Sequence, residues 1–238
     1  MKIFIVLLIF LFSCKEQSKK IIILSKASES YINWISDENT IIIDAYKIKN
    51  TDSLLNLADG IILTGGEDIN PIEYNDTSNI KLCGPINYKR DTLERKLFEY
   101  AFKNKIPLIG VCRGMQMMNV VSGGTLYGDI PSEIGNEVIH RFNGEVNHEI
   151  VLCDTSSLIF SSNRDTIVVN SFHHQALKKI PPFLRVIARA LDGIPEAVVM
   201  DKNHHPYMIG VQFHPERLGK ENQIYQTIRS SFHKQLHK

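Results

Sequence analysis

The cysteine at position 112 has the neighbours that a nucleophile needs. It stands in Gly110-Val111-Cys112-Arg113-Gly114, with a small residue two before it and another two after. An apolar run from Leu108 to Val111 leads into it, and Met115 to Val121 has helical rather than alternating character. Strand, sharp turn and helix make a nucleophile elbow, whose flanking glycines let backbones approach closely. The following helix would turn its partly positive N-terminus toward the sulfur. The competing reading is a structural cysteine at the end of a core strand, since cysteine is often buried.

A cysteine nucleophile needs a base, and the base needs an acceptor to orient it. The candidates are His140, His148, His173, His174, His204, His205, His214, His233 and His237. His214 stands out, because it follows the apolar run Met208 to Phe213 and opens His214-Pro215-Glu216. A strand end fixes the imidazole, and Pro215 stiffens the turn. Glu216 can then reach back to one ring nitrogen and leave the other for the thiol. The competing reading is a surface turn with an incidental histidine.

His173-His174-Gln175 is a second cluster. Adjacent strand residues face opposite sides, so the two histidines are not expected to share a metal. The plainer reading is one packed histidine beside an exposed one. His204-His205, ahead of Pro206 in a turn, is expected to be solvated. Met115, Met117 and Met118 read as helix packing. Arg90-Asp91 reads as a helix start, with Asp91 as its cap.

The elements that must position these groups can be read in order. Ile-rich runs at 21–24, 40–43 and 60–63 suit strands buried on both faces, with helices at 30–36 and 52–58 between them. The third run ends in Thr64-Gly65-Gly66-Glu67-Asp68, where glycines allow close approach to a ligand. Residues 75–87 read as a loop and 90–104 as a helix. Alternating strands and helices argue for a parallel sheet with helices on both faces, which binds ligands at the carboxyl ends of its strands. Both Gly65-Gly66 and Cys112 stand at such ends. The second half reads as strands at 146–152, 166–170, 184–190, 196–200 and 208–213, added in antiparallel fashion, with a closing helix over 219–236. The fold class is therefore α/β, a three-layer, doubly wound, mostly parallel sheet with added antiparallel strands.

The 238 residues suffice for one large domain, and a net charge of +1 without a basic block gives no footprint for nucleic acid. Met1-Lys2, the apolar run Ile3 to Phe12 and then Ser13-Cys14 form a secretory signal, too short to span a bilayer as a helix. Leu11-Phe12-Ser13-Cys14 resembles a bacterial lipobox, in which Cys14 carries lipid, and the lysine-rich stretch after it suits a tether. The expected organisation is a signal peptide at 1–13, a tether at 14–20 and one domain at 21–238. The expected location is that of an exported lipoprotein on the periplasmic or outer surface. An exported chain could also pair Cys83 with Cys153. The sequence sets no oligomeric state.

Gly110-Val-Cys112-Arg-Gly114 together with Gly210-Val-Gln-Phe-His214-Pro-Glu216 resembles the class I glutamine amidotransferase superfamily. Further stretches narrow the match: Gly65-Gly-Glu-Asp-Ile-Asn-Pro71 with Tyr74, Arg90-Asp91, Cys112-Arg-Gly-Met-Gln116 with Asn119, Gly123-Gly-Thr-Leu126, Asn170-Ser-Phe-His-His-Gln175 and Asp192-Gly-Ile-Pro-Glu196. They look like the gamma-glutamyl-gamma-aminobutyrate hydrolase branch, which is peptidase C26-like. The resemblance implies a flavodoxin-like sheet and a Cys112, His214 and Glu216 triad. It also implies an oxyanion hole from backbone N–H groups at Gly66 and Arg113, and substrate contacts at Gly65, Gln116, His173, His174 and Gln175. It implies a small gamma-glutamyl substrate and neither a metal nor an organic cofactor. Glu67 departs from the pattern, since many relatives have a third glycine there. The alternatives are a glutamine amidotransferase subunit that supplies ammonia to a partner, and an inactive binding protein on the same fold.

Overall fold

The structure, a computed structural model, describes residues 18–154, 159–160 and 165–236. The expected signal segment and Cys14 lie outside the described residues. The chain begins with β1 (Lys20–Leu24), α1 (Glu29–Ile35), β2 (Thr40–Asp44), α2 (Asp52–Leu55) and β3 (Gly60–Leu63). It continues with α3 (Tyr88–Asn104), β4 (Leu108–Val111), α4 (Arg113–Val121), β5 (Leu126–Tyr127) and α5 (Ile130–Glu133). Then follow β6 (Val146–Leu152), β7 (Thr166–Ser171), β8 (Ala176–Leu177), β9 (Leu184–Ala190), β10 (Pro195–Met200), β11 (Met208–Val211) and α6 (Gln223–Leu236).

The main sheet runs β2-β1-β3-β4-β11-β10-β9-β6-β7. The strands from β2 to β11 are parallel, while β10, β9, β6 and β7 are added antiparallel. Beside it β5 and β8 pair as a small second sheet. Every residue of β3, β4 and β11 is buried, as unbroken apolar runs require. Alternate side chains feed opposite layers. Ile22, Ile62 and Ile109 pack with Trp34 of α1 and with Ile228 and Phe232 of α6. Ile23, Ile61 and Leu108 pack with Leu97 of α3 and with Met115, Met117 and Met118 of α4. The methionines are therefore core packing. Among the described residues no helix is long and apolar enough to cross a membrane.

Several expectations need correction. Asn87, not Asp91, caps α3: its side chain accepts from the Arg90 N–H at 3.1 Å, and the helix begins at Tyr88. The last helix begins at Gln223 because Gly219 to Asn222 forms a turn and the Asn222 side chain accepts from the Ile224 N–H. The 52–58 helix is only the single turn of α2. β5, β8 and α5 are too short to show a period, and the sequence did not reveal them. Cys83 and Cys153 do not pair, and both thiols are free. Cys83 lies against the Gln175 amide, whereas Cys153 follows the end of β6, where its N–H donates to the Ile187 carbonyl at 2.8 Å.

Three backbones meet at the end of β4. A Cβ on Gly110 would stand 2.6 Å from the Gly114 carbonyl carbon and from the Met118 sulfur. One on Gly114 would overlap the Leu63 carbonyl oxygen at the end of β3. The obstacle is main chain, which cannot rotate away. Gly114→Ala is expected to destabilise the fold by at least about 1–3 kcal/mol, the usual range for overpacking. Urea denaturation measures this, and an unchanged midpoint would show that the helix can lift off β3 without cost.

Candidate active site

Cys112 joins β4 to α4 with φ 51° and ψ −108°, a backbone conformation that residues with a side chain seldom take. Its N–H donates to the Val211 carbonyl at 2.7 Å, and its carbonyl accepts from the Gln116 N–H at 3.2 Å. The turn is thus fastened to β11 on one side and to α4 on the other. Arg113 is the first residue of α4, so its N–H has no carbonyl one turn earlier to bond.

β11 lies parallel to β4 with Val211 opposite Val111, which delivers the chain after β11 to the side of Cys112. His214 and Glu216 follow there. The His214 Nδ1 and a Glu216 carboxylate oxygen are 2.7 Å apart, and both side chains are buried. Asn170 grips the same histidine by its backbone: its amide donates to the His214 carbonyl at 3.1 Å and its oxygen accepts from the His214 N–H at 2.9 Å. Gly65 packs against the ring, for a Cβ there would stand 2.7 Å from the His214 Cε1. The Gly65 N–H donates to the Tyr31 hydroxyl at 2.8 Å. Burial, with the charge of Glu216 beside it, holds that phenol well above its usual range. The His214 Nε2 is buried without another partner and faces the Cys112 thiol. Burial opposes the imidazolium, but Cys112 and Glu216 outweigh it and push His214 up to about 10. A histidine so placed can hold a proton beside a thiolate and release it to a leaving group.

Beneath the loop Thr64 to Glu67 lies the fully buried guanidinium of Arg90. It donates to the Thr64 carbonyl at 2.7 Å, to the Gly65 carbonyl at 2.8 Å, to Glu67 at 2.7 Å and to Glu94 at 2.8 Å. A side chain on Gly66 would overlap this guanidinium, which explains the glycine. Glu67 folds onto Arg90 and, at 2.7 Å, onto Lys26, and so fastens the loop. Partial burial alone would raise its carboxyl, but Lys26 and Arg90 hold it well below the usual carboxylate range. Arg113 extends the network through Glu94 and, at 2.5 Å, through Asp91. Its guanidinium is thereby committed to Asp91 and Glu94.

Gly66, Cys112, Gln116, His173, His174, Gln175 and His214 line one cleft of about 260 Å³. Glu216 stands behind His214, and Gly65 behind the lining. Gln116 and Gln175 are themselves tied down. The Gln116 amide donates to the Gln175 carbonyl at 3.0 Å, and the Gln175 amide donates to the Gly128 carbonyl at 3.2 Å. His173 and His174 lie in the loop between β7 and β8 rather than on a strand, and they diverge all the same. His174 bridges Asp68 at 3.0 Å and Asp129 at 3.2 Å, and Asp68 above all raises its pKa. His173 turns its Nε2 into a buried group with His140, His148 and Glu196.

A family profile described as Peptidase C26 matches residues 14–216. The chain belongs to that family. It is 34% identical over 212 residues to protein NtpR of Enterococcus hirae, covering 86% of this chain and 87% of the relative. It is 30% identical over 191 residues to gamma-glutamyl-gamma-aminobutyrate hydrolase PuuD of Escherichia coli K12, covering 76% of this chain and 73% of the relative. The fold matches the crystal structure of a glutamine amidotransferase from Thermotoga maritima with a TM-score of 0.61 at 16% identity, over 92% of this chain and 99% of the other.

In this peptidase C26 chain the cleft holds groups that the sequence did not single out. Arg141 and Arg217 both line it and stack on the Phe172 ring, with guanidinium carbons 4.7 and 5.4 Å from its centroid. Asp68, which lay in the recognised glycine-loop motif, lines the cleft as well. Neither arginine has a local signature, because a lone arginine in a loop looks like any solvated one. Asn170 did lie in a recognised motif, yet its grip on His214 needed the β7 and β11 ends to be seen together. His205 is not solvated: it is buried, accepts from the Tyr207 N–H at 3.1 Å and lies 3.2 Å from the Ala101 carbonyl. Without a charge partner there, burial lowers it to about 4. His204 is exposed as expected.

The charge of Glu216 supports the His214 imidazolium, so removing it must lower that pKa. The alkaline limit of kcat/KM, which reports the free enzyme with its thiol in place, is expected near pH 10 in the wild type, and in Glu216→Gln it should move to lower pH. A pH profile of kcat/KM in which both proteins share one alkaline limit would show that the carboxylate does not act on the ring.

Proposed function

We propose that the protein hydrolyses gamma-glutamyl amide bonds through a thioester at Cys112. One observation carries this reading: Cys112, in a strained elbow, faces a histidine that Glu216 and Asn170 lock in place. The Cys112 sulfur attacks the gamma-carbonyl, and the oxyanion is held by backbone N–H groups of Gly66 and Arg113. His214 gives its proton to the departing amine as the carbon–nitrogen bond breaks. It then takes one from water, which attacks the thioester and releases glutamate and the thiol.

The cleft walls support the substrate class. A gamma-glutamyl group carries an alpha-carboxylate and an alpha-ammonium. Arg141 and Arg217 offer guanidinium groups for the carboxylate, or for one on the amine half, as in gamma-aminobutyrate. Asp68 supplies the complementary negative charge. The relative named a gamma-glutamyl-gamma-aminobutyrate hydrolase supports the same class.

Cys112→Ala is expected to abolish turnover while leaving the fold intact. The purified protein should cleave gamma-glutamyl-gamma-aminobutyrate without partner or ATP, with glutamine the poorer substrate because it offers the far wall no contact. Arg141→Ala should raise KM roughly 10–100-fold, the worth of one charged hydrogen bond. Steady-state kinetics on both compounds decide it. A higher kcat/KM for glutamine, or activity only with an added synthetase, would favour an ammonia-supplying subunit.

We also propose that Cys14 anchors the chain as an exported lipoprotein, on the strength of the Leu11 to Cys14 pattern. Mass spectrometry of the membrane fraction should find the mature N-terminus at Cys14 bearing lipid. Cys14→Ser should release neither the cleaved nor the lipidated form. An unmodified Cys14 in a soluble mature chain would overturn the anchor.

A further inference from the structure

His140, His148, His173 and Glu196 come together from four separate parts of the chain, and each turns a donor atom inward. The inward atoms are His140 Nδ1, His148 Nε2, His173 Nε2 and Glu196 Oε1, all within 4.8 Å of one another. All four are buried without a hydrogen-bond partner, and no side chain of the set is more than 6% exposed. The second Glu196 oxygen is buried and unpartnered too.

The outer nitrogens explain why this group is unfinished. His173 Nδ1 lies 2.9 Å from the Gln175 carbonyl and His148 Nδ1 3.2 Å from the Glu149 carbonyl. His140 Nε2 lies 2.8 Å from an Asp192 carboxylate oxygen. Carbonyls and carboxylates only accept, so each outer nitrogen carries the proton. A neutral ring then turns a lone pair inward. Three lone pairs would converge on a carboxylate oxygen, acceptor against acceptor, in a buried space. Charging one ring would satisfy one contact and leave two lone pairs facing the carboxylate, and charging all three would crowd three imidazolium ions around it.

A cation among the four resolves this, and the three spacings from Glu196 suit one, with the nitrogens within 4.8 Å of one another. Glu196 Oε1 is 3.5, 3.4 and 3.5 Å from the inner nitrogens of His140, His148 and His173. A tetrahedral ion bonded at about 2.0–2.1 Å would hold its ligands about 3.3–3.4 Å apart. Each imidazole already has the outer acceptor that orients metal-bound histidines, including a carboxylate on His140.

We propose that His140, His148, His173 and Glu196 form a structural site for a divalent transition metal of the zinc class. Three imidazoles and one carboxylate are borderline donors that favour such an ion over calcium or magnesium. With four protein ligands the site is closed and leaves no open position for substrate. Its ligands join the loop that carries Arg141, the β6 strand, the β10 strand and the segment Phe172 to Gln175. The ion therefore cross-braces the part of the cleft wall that carries Arg141, Phe172 and His173. The proposal does not rest on the hydrolase reading.

Metal titration tests it, with zinc and cobalt(II) as probes. The purified protein in a Cys112→Ala background, which removes the rival thiolate, is stripped with chelator, reloaded and desalted. Elemental analysis should find about one equivalent retained, and the cobalt adduct should show the visible absorption of a tetrahedral nitrogen and oxygen site. Zinc should raise Tm by several degrees, on the order expected for a ligand of the native state. His148→Ala and Glu196→Gln should each weaken binding by at least about tenfold, and so should the outer-sphere Asp192→Asn. If the ligand variants fail to fold, the cobalt spectrum, the zinc effect on Tm and Asp192→Asn decide. A folded protein that retains no metal and whose Tm ignores zinc would overturn the site. So would retention undiminished in every variant that folds.

Discussion

Two buried arginines and the carboxylates between them hold the elbow to the glycine loop. Arg90 reaches from α3 to the carbonyls of Thr64 and Gly65, while Arg113 at the start of α4 shares Glu94 with it. Both guanidinium groups and Glu94 are removed from water, so the interaction is worthwhile only while every partner is present. Taking away one member of a buried pair costs about 3–5 kcal/mol, because the charge left behind has no solvent. The consequence is geometric as well as energetic. The loop that carries Gly66 and the helix that carries Arg113 cannot move independently, and both border the Cys112 sulfur.

The two halves of the sheet contribute differently. The parallel half brings Cys112 and the glycine loop to one edge, where strands end and helices begin. The antiparallel half supplies what stabilises and encloses them: Asn170 at the end of β7, Glu196 on β10, and the histidines and arginines of the loops. β11 joins the halves, parallel to β4 on one side and antiparallel to β10 on the other. That is why His214, at its end, can face the cysteine of one half while its backbone is gripped by the other.

Chemistry set by neighbours in sequence was legible before any coordinates. Cys112 between its glycines, and His214 with Glu216 after an apolar strand, are local patterns, and so are the buried runs of the central strands. What escaped was set by contacts distant in the chain. Asp91 looked like a cap because it stood near a helix start, but Asn87 had the geometry and Asp91 had Arg113. His205 looked like a turn residue because nothing nearby in sequence announces the Ala101 carbonyl that it packs against. His140, His148, His173 and Glu196 lie on separate elements, and only the crossing of β6, β10 and two loops assembles them. His173 and His174 diverge as the sequence implied, but in a loop rather than on a strand, and each found partners the sequence could not name.

The backbone of Cys112 is bent into a conformation that glycine would adopt without strain. The residue that the proposed chemistry requires is therefore one that the fold would not choose for its own sake. Glycine here would relieve the backbone but leave a gap where the sulfur packs among buried residues of the core. Under the proposed chemistry the thiol at position 112 is therefore held at a cost in backbone strain that its packing offsets only in part. The elbow is a place where the demands of folding and of reaction pull in different directions.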